Sequence, residues 1–249
     1  MSNHREVRGT PSVAITGAGG HIGRALVEHL AARGYALTLV DRPEAGLAAM
    51  APFGAVVELD LARPTSPELF AGVEVVVHLA GEASPDAPWE RLRTANIEAS
   101  YQVAWAAMQA ECRRLVVASS VHAVSASARR PVAPDDPVAP ADLYGVTKCF
   151  VEALAFWCAH QRDMSAAAVR IGAFQTVEAS RASGADWMAD VFIAQSDLVA
   201  LLERAITAEY RFALLHASAP GEDVLLETQA TEQLLGWRAE HRFPGGSAR

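Results

Sequence analysis

Short apolar runs alternate with longer stretches of helical periodicity along the first two thirds of the chain. The runs are rich in valine, isoleucine, leucine and alanine, and they predict six strands, over residues 13–16, 36–40, 56–59, 73–79, 115–119 and 166–171. Between the runs, apolar residues recur three and four positions apart, which predicts helices over residues 22–33, 89–109 and 144–161. Strand and helix therefore alternate.

The continuous apolar character of these strands predicts how the sheet is built. Strands without polar alternation are buried on both faces, and intervening helices supply the crossovers that parallel strands need. We therefore predict an α/β fold, a doubly wound Rossmann-type parallel sheet over residues 1–171. We predict that residues 172–249 form a small C-terminal substrate-binding lobe that packs on the sheet, so that the whole chain is one compact unit. Its predicted elements are a loop over 172–185, a helix over 196–206, a strand over 212–216 and a helix over 230–235.

Composition and charge narrow the classes of function. The 249 residues carry a formal net charge of −8, which gives no electrostatic footprint for nucleic acid. No apolar stretch approaches the roughly 20 residues that span a bilayer, and residues 1–11 are polar, so we expect a cytoplasmic protein without a membrane partner. The three cysteines are odd in number and lack CxxC spacing, which predicts neither a disulfide framework nor a metal site.

Three glycines follow the first predicted strand and open the first predicted helix. Gly17, Gly20 and Gly23 stand three residues apart, which is a TGxxGxxG spacing rather than GxGxxG. The first glycine permits a tight turn, the second lets the backbone approach a pyrophosphate, and the third lets helix and strand pack closely. The N–H groups and the partial positive charge of the helix N-terminus favour an anion there. The segment predicts a dinucleotide site.

The residue that ends the second strand selects between the two nicotinamide cofactors. Asp41 lies about 20 residues beyond the glycine turn, where an acidic side chain binds the ribose hydroxyls of NAD. Arg24 and Arg42 are the alternatives, because either would suit the 2′-phosphate of NADP. We expect NAD.

A tyrosine and a lysine one helical turn apart supply candidate chemistry. Tyr144 and Lys148 face the same side of the third helix, where the ammonium stabilises a phenolate and so makes the tyrosine a better base. Ser120 follows a strand at the carboxyl edge of the sheet, where open α/β sheets bind ligands, and is a candidate for holding a substrate oxygen. Asn96 is a candidate for completing a proton path to solvent.

In their order and spacing these residues resemble the extended short-chain dehydrogenase/reductases, which include the NAD-dependent epimerase/dehydratase-like proteins. The resemblance implies that Asp60 and Leu61 contact the adenine, that residues 79–81 line the middle of the cofactor, that Ser120 orients the substrate, and that Tyr144 is the acid/base. With the glycine turn and Asp41, the candidate cofactor-binding residues are Gly17, Gly19, Gly20, His21, Ile22, Gly23, Asp41, Asp60, Leu61, Leu79, Ala80, Gly81 and Lys148.

Within that family the chain is similar to uronate dehydrogenases, which oxidise C1 of a hexuronate to a lactone. The similarity is carried by residues 143–150, 169–172, Trp187, 196–199 and 235–237. It implies a small-molecule substrate held by Ser120, His122, Tyr144 and Arg181, the last pairing with the carboxylate. It also implies a homodimer formed through helices 89–109 and 144–161, with Trp105 and Phe156 as interface candidates.

Three departures from the uronate dehydrogenase pattern leave other functions open. Val121 and Ala173 stand where polar residues are expected, and residues 188–195 resemble an insertion. Loss of hydrogen-bonding groups favours a different or less hydroxylated substrate. The alternatives are a specialised-pathway ketoreductase or sugar epimerase on a less polar substrate, and a protein that senses NAD without catalysis.

Overall fold

A seven-stranded sheet, parallel throughout, forms the centre of the protein. The computed structural model describes residues 9–161, 163–183, 188–221 and 223–244. The strands of this sheet are β1 (Val13–Thr16), β2 (Leu37–Asp41), β3 (Ala55–Glu58), β4 (Val75–His78), β5 (Arg114–Ser120), β6 (Ser165–Ile171) and β9 (Phe212–Ala217). Their order is β3-β2-β1-β4-β5-β6-β9. The direction of winding reverses between β1 and β4, which is where doubly wound sheets bind ligands.

Helices cover both faces of this sheet. They are α1 (His21–Ala31), α2 (Trp89–Leu92), α3 (Ala99–Gln109), α4 (Leu143–Gln161), α5 (Val177–Ser183), α6 (Gln195–Thr207) and α7 (Gln229–Leu235). On one face, Leu26 of α1 and Leu201 of α6 belong to a core that includes Ile15 of the sheet. On the other face, α3 and α4 contribute Val103 and Ala155 to a second core. Burial on both faces explains why the strands lack polar alternation.

The structure confirms the predicted α/β fold, with strands and long helices near their predicted positions. The predicted helix over 89–109 is divided, because residues 93–98 form a π-helical turn between α2 and α3. The predicted loop over 172–185 is wrong: it holds β7 (Ala173–Gln175) and α5, and β7 pairs in parallel with β8 (Phe192–Ala194). The residues resembling an insertion, 188–195, thus contain a buried strand.

The segment beyond residue 171 contributes to the main body of the protein. Strand β9 pairs with β6 at the edge of the seven-stranded sheet, and α6 packs on α1. The division at residue 171 into two parts stays a prediction. Cys112 and Cys158 are buried, Cys149 is half-buried, and all three are free. Within the described ranges, every helix is too short or too polar to cross a membrane.

Candidate active site

The glycines of the turn after β1 allow close contacts between backbone segments that a side chain would prevent. Gly17 has φ of 73°, and a Cβ there would lie 2.5 Å from the backbone nitrogen of Ala80. A Cβ on Gly23 would collide with the carbonyl oxygen of Gly17. Gly20 is the N-cap residue of α1 and offers no side-chain hydrogen bond to the first N–H groups of the helix. The first turn of α1 is therefore open to an anion at the carboxyl edge of β1.

Two cavities meet at this turn. One has a volume of about 680 Å³ and the other about 670 Å³, and both are lined by Gly17, Gly20, Leu79, Gly81 and Glu82. The first extends toward Ser120 and Tyr144. The second extends past Asp41 and Asp60. Every candidate cofactor-binding residue lines one or both of them, and the two cavities together give room for an extended dinucleotide; its contacts with these residues stay a prediction.

Asp41 is fixed at the second cavity in a way that suits NAD. Its Oδ2 accepts a hydrogen bond from the backbone N–H of Gly19 at 2.9 Å, and its Oδ1 accepts one from Arg42 N at 2.8 Å. Arg24 donates from Nε to the Gly19 carbonyl at 2.8 Å and from Nη2 to Ala45 O at 3.0 Å. Arg24 is thus bonded to backbone, and the carboxylate of Asp41 opposes a second phosphate on the ribose.

Tyr144 and Lys148 lie together in the first turns of α4, beside the first cavity. The Lys148 Nζ donates to the carbonyl of Ala118 at 3.0 Å and lies 5.5 Å from the centroid of the Tyr144 ring. Burial lowers the pKa of Lys148 to about 8. Burial raises the pKa of Tyr144, and a hydrogen bond with Ser120 opposes that rise. The neighbouring cation and hydroxyl favour the phenolate that burial disfavours.

Asp142 organises the entrance to α4, a role that sequence reasoning missed. Its Oδ1 accepts from the N–H of Gly145 at 2.7 Å, and its Oδ2 pairs with Nδ1 of His122 at 2.7 Å. The His122 ring packs edge-on against Tyr144 with centroids 5.2 Å apart. The N–H of His122 donates to Ser120 Oγ at 3.2 Å. One carboxylate therefore caps the helix and orients the histidine beside the tyrosine.

Asn96 is buried in the π-helical turn and does not line either cavity within the described part of the chain. Its Oδ1 accepts from Glu82 N at 2.7 Å, while its Nδ2 donates to Glu82 O at 3.1 Å and to Thr147 Oγ1 at 3.0 Å. These bonds hold the segment after β4 against α4, next to Lys148. The contacts describe a positioning role, and a part in proton transfer stays a prediction.

The structure does not bring Arg181 to the other candidate substrate residues. Arg181 is exposed on α5 and is absent from the described lining of both cavities. The outer wall of the first cavity instead includes Arg130, whose Nη1 donates to Oδ2 of Asp190 at 2.6 Å. Val121 and Ala173 also line this wall. Trp187 lies outside the described residues.

Comparisons with known proteins show which family and which relatives this chain is similar to. Residues 13–184 match the model of the NAD dependent epimerase/dehydratase family. An L-arabinose 1-dehydrogenase (NAD(P)(+)) from Haloferax volcanii is 31% identical over 91% of this chain and 95% of its own length. A uronate dehydrogenase from Agrobacterium fabrum is 31% identical over 90% of this chain and 82% of its own.

A solved structure supports the cofactor. A mutant of uronate dehydrogenase from Agrobacterium tumefaciens in complex with NAD superposes with a TM-score of 0.77 at 26% identity, covering 94% of this chain and 86% of that one. The family match spans more than half of the chain. The chain therefore belongs to the NAD dependent epimerase/dehydratase family, the extended short-chain dehydrogenase/reductases, and is an NAD-dependent oxidoreductase.

Proposed function

We propose that this protein oxidises C1 of a free monosaccharide, with a hexuronate as the preferred substrate, to the corresponding lactone. The observation that carries the proposal is the group of Ser120, Tyr144 and Lys148 on the wall of the cavity that continues from the glycine turn. The names of the relatives, a uronate dehydrogenase and an L-arabinose 1-dehydrogenase, support a sugar and a reaction at C1.

The residues divide the work of the reaction. Tyr144 accepts the proton of the C1 hydroxyl as a phenolate, and the Lys148 ammonium, still mostly charged at neutral pH, stabilises that phenolate before the transfer. Ser120 donates a hydrogen bond to the substrate oxygen as the carbonyl forms. The glycine turn and Asp41 would hold NAD⁺, and the bound cofactor would supply the acceptor for the hydride of C1. His122, oriented by Asp142, contacts a hydroxyl of the sugar ring.

A second candidate is reduction or epimerisation of a less polar substrate. Val121, Ala173, Phe174 and Leu225 line the substrate side of the cavity, and an apolar wall gives a polyhydroxylated ring fewer hydrogen-bond partners. The same serine, tyrosine and lysine could also catalyse reduction of a ketone.

NADH formation tests the proposal directly. Purified protein is incubated with NAD⁺ and glucuronate, galacturonate, galactose or L-arabinose, and in parallel with NADH and apolar ketones. We expect NADH from the uronates, with the lactone as product, and no turnover by Tyr144→Phe even though that variant still binds NAD. Activity on ketones alone selects the second candidate. Binding of NAD without turnover of any compound selects a cofactor sensor.

We also infer that the protein forms a homodimer through α3 and α4. Large side chains on these helices are exposed: Tyr101 and Trp105 at 45% and 43%, and Phe156 and Trp157 at 51% and 38%. Tyr101 and Trp105 stack with centroids 6.4 Å apart. An aromatic surface of this kind favours contact with a second copy. A cytoplasmic location stays a prediction, with which three free thiols are consistent.

A further inference from the structure

Arg130 supplies positive charge to the outer wall of the substrate cavity. Among the described residues that line this cavity, the arginine and lysine side chains are those of Arg130 and Lys148. Lys148 is buried, bonded to the Ala118 carbonyl and engaged with Tyr144. Arg130 is different because 48% of its side chain is exposed. It is therefore available to a substrate group that lies away from the reacting carbon.

The guanidinium of Arg130 has a free edge. Its bond to Asp190 uses Nη1, and the described residues provide no other hydrogen-bond partner for it. Nε and Nη2 form the side edge that binds a carboxylate through two parallel hydrogen bonds. Arg170 shows this geometry elsewhere in the molecule, donating from Nε and Nη2 to the two oxygens of Glu152 at 2.8 and 2.9 Å. Arg130 has the same edge, and no carboxylate among the described residues is bonded to it.

The backbone holds Arg130 and its partner together. Val132, two residues beyond the arginine, donates from its N–H to Leu225 O at 2.7 Å and accepts at its carbonyl from Glu227 N at 2.9 Å. Leu225 in turn donates to the carbonyl of Asp190 at 2.9 Å. The segment that contains Leu225 and Glu227 thus joins the segment that carries Arg130 to the one that carries Asp190. A cation held by such a backbone loses little conformational freedom when it binds an anion.

We propose that Arg130, held by Asp190, binds the carboxylate of the substrate through its Nε and Nη2 edge. The inference rests on the proposed oxidation of a hexuronate and assigns the carboxylate site to Arg130 instead of Arg181, which is exposed on α5 away from the cavity lining. Because Asp190 offsets the charge of Arg130, recognition depends on two short hydrogen bonds more than on long-range attraction. The KM for the uronate should therefore depend weakly on ionic strength.

Three matched substitutions and a pair of substrates that differ only at C6 test the assignment. Arg130→Gln, Arg129→Gln and Arg181→Gln are compared with the parent protein on galacturonate and on galactose. Arg129 is the control because it is the neighbour in sequence but pairs with Asp136. We expect Arg130→Gln to raise the KM for galacturonate by about 10- to 100-fold, the range for losing hydrogen bonds to a charged group. The kcat should change little, and the KM for galactose should stay the same.

Arg130→Lys keeps the charge but loses the two-donor edge, so it should give an intermediate rise in KM. Unchanged NAD affinity and thermal midpoint in each variant exclude a folding defect. The assignment to Arg130 is overturned if Arg181→Gln, and not Arg130→Gln, loses selectivity for galacturonate over galactose. It is also overturned if Arg130→Gln affects both sugars equally. Neither result contradicts the proposed oxidation at C1. Absence of turnover of either sugar by the NAD-bound parent protein removes the proposed function and the inference with it.

Discussion

Lys148 carries its charge in a largely buried position, where water solvates it poorly. Burial lowers its pKa from 10.5 to about 8, and its described hydrogen bond is to a neutral carbonyl, that of Ala118. A difference of this size corresponds to about 3 kcal/mol of lost solvation for the ammonium. The protein therefore gives up stability to keep a cation beside Tyr144, which is the pattern expected where function and stability compete.

Replacing Lys148 with methionine should stabilise the protein and abolish turnover. Removal of the buried charge favours folding, while loss of the bond to Ala118 O offsets part of that gain, so we expect the free energy of unfolding at pH 7 to rise by about 1–3 kcal/mol. Denaturant unfolding measures this change.

The pH dependence identifies the cause of that stabilisation. The unfolded chain holds the Lys148 proton up to about pH 10.5 and the folded protein only to about pH 8, so the parent protein gains stability as pH rises across this window. The difference from Lys148→Met should be constant below pH 8 and shrink above it. A constant difference through pH 10 would contradict the argument.

Asp41 makes a second residue-level prediction, on cofactor choice. Asp41→Ser removes the carboxylate that accepts from Gly19 N at 2.9 Å and that opposes a ribose phosphate. We expect the KM for NAD to rise about tenfold, as for loss of one charge-assisted hydrogen bond, and the ratio of NADP to NAD activity to increase. Steady-state kinetics with both cofactors measure this. Glu44→Ala, an exposed position three residues on, should change neither value.

A buried polar network ties four elements together behind the active site. Ser119 of β5 donates to Glu152 of α4 at 2.6 Å, and Glu152 accepts two bonds from Arg170 of β6. Burial lowers the pKa of His216 on β9 to about 4, so its ring is neutral: Nε2 accepts from Arg170 at 3.3 Å and Nδ1 donates to Glu227 O at 2.7 Å. The network joins the strand that ends at Ser120 to the helix that carries Tyr144.

Breaking this network at one member should be costly. Glu152→Ala leaves the guanidinium of Arg170, 1% exposed, without its carboxylate, and we expect the free energy of unfolding to fall by about 3–5 kcal/mol. The double variant Glu152→Met/Arg170→Met removes both charges and should recover most of the loss. Urea unfolding measures both. Glu178→Ala, exposed on α5, is the control, and an equal loss in the single and double variants would argue against an ion-pair effect.

The elements that the sequence predicted well are those long enough to show a period. Strands buried on both faces are continuous apolar runs, and α1 and α4 repeat apolar residues at helical spacing. By contrast, β7 is three residues long, and α5 has no apolar stripe among its seven residues. Neither element is stabilised by its own pattern; each depends on packing after the chain has folded. For that reason residues 172–185 resembled a loop.

The residues of the candidate site also differ in how well the sequence predicts them. The glycine turn, Asp41, Tyr144 and Lys148 are local in sequence, so their spacing predicts their grouping around the two cavities. Arg130 and Asp190 lie 60 residues apart in irregular segments, and only the tertiary structure brings them together at 2.6 Å. The resemblance to uronate dehydrogenases predicts Arg181 as the carboxylate ligand, but α5 carries that side chain on its exposed side.

The distribution of exposed aromatic residues over the whole molecule bears on its assembly. Trp105 and Phe156 extend from α3 and α4 on one side of the sheet, and Tyr101 and Trp157 on the same two helices are exposed as well. Phe156 packs only partly within its own chain, against His160 and Phe212 with centroids 4.1 and 5.1 Å apart. A single chain thus leaves apolar area on this side that a second copy would cover.

Charge placed on this surface should separate the copies without unfolding them. We expect the parent protein to sediment as a dimer at micromolar concentration and Trp105→Asp/Phe156→Asp as a monomer, because an aspartate buried in an apolar interface lacks a partner. Phe53→Asp is the matched control, since Phe53 is 38% exposed on a different element, and it should stay dimeric. Sedimentation velocity and NAD binding are measured together, so that loss of the dimer is distinguished from loss of the fold. A monomeric parent protein, or a double variant that remains dimeric, would show that the copies do not pair through α3 and α4.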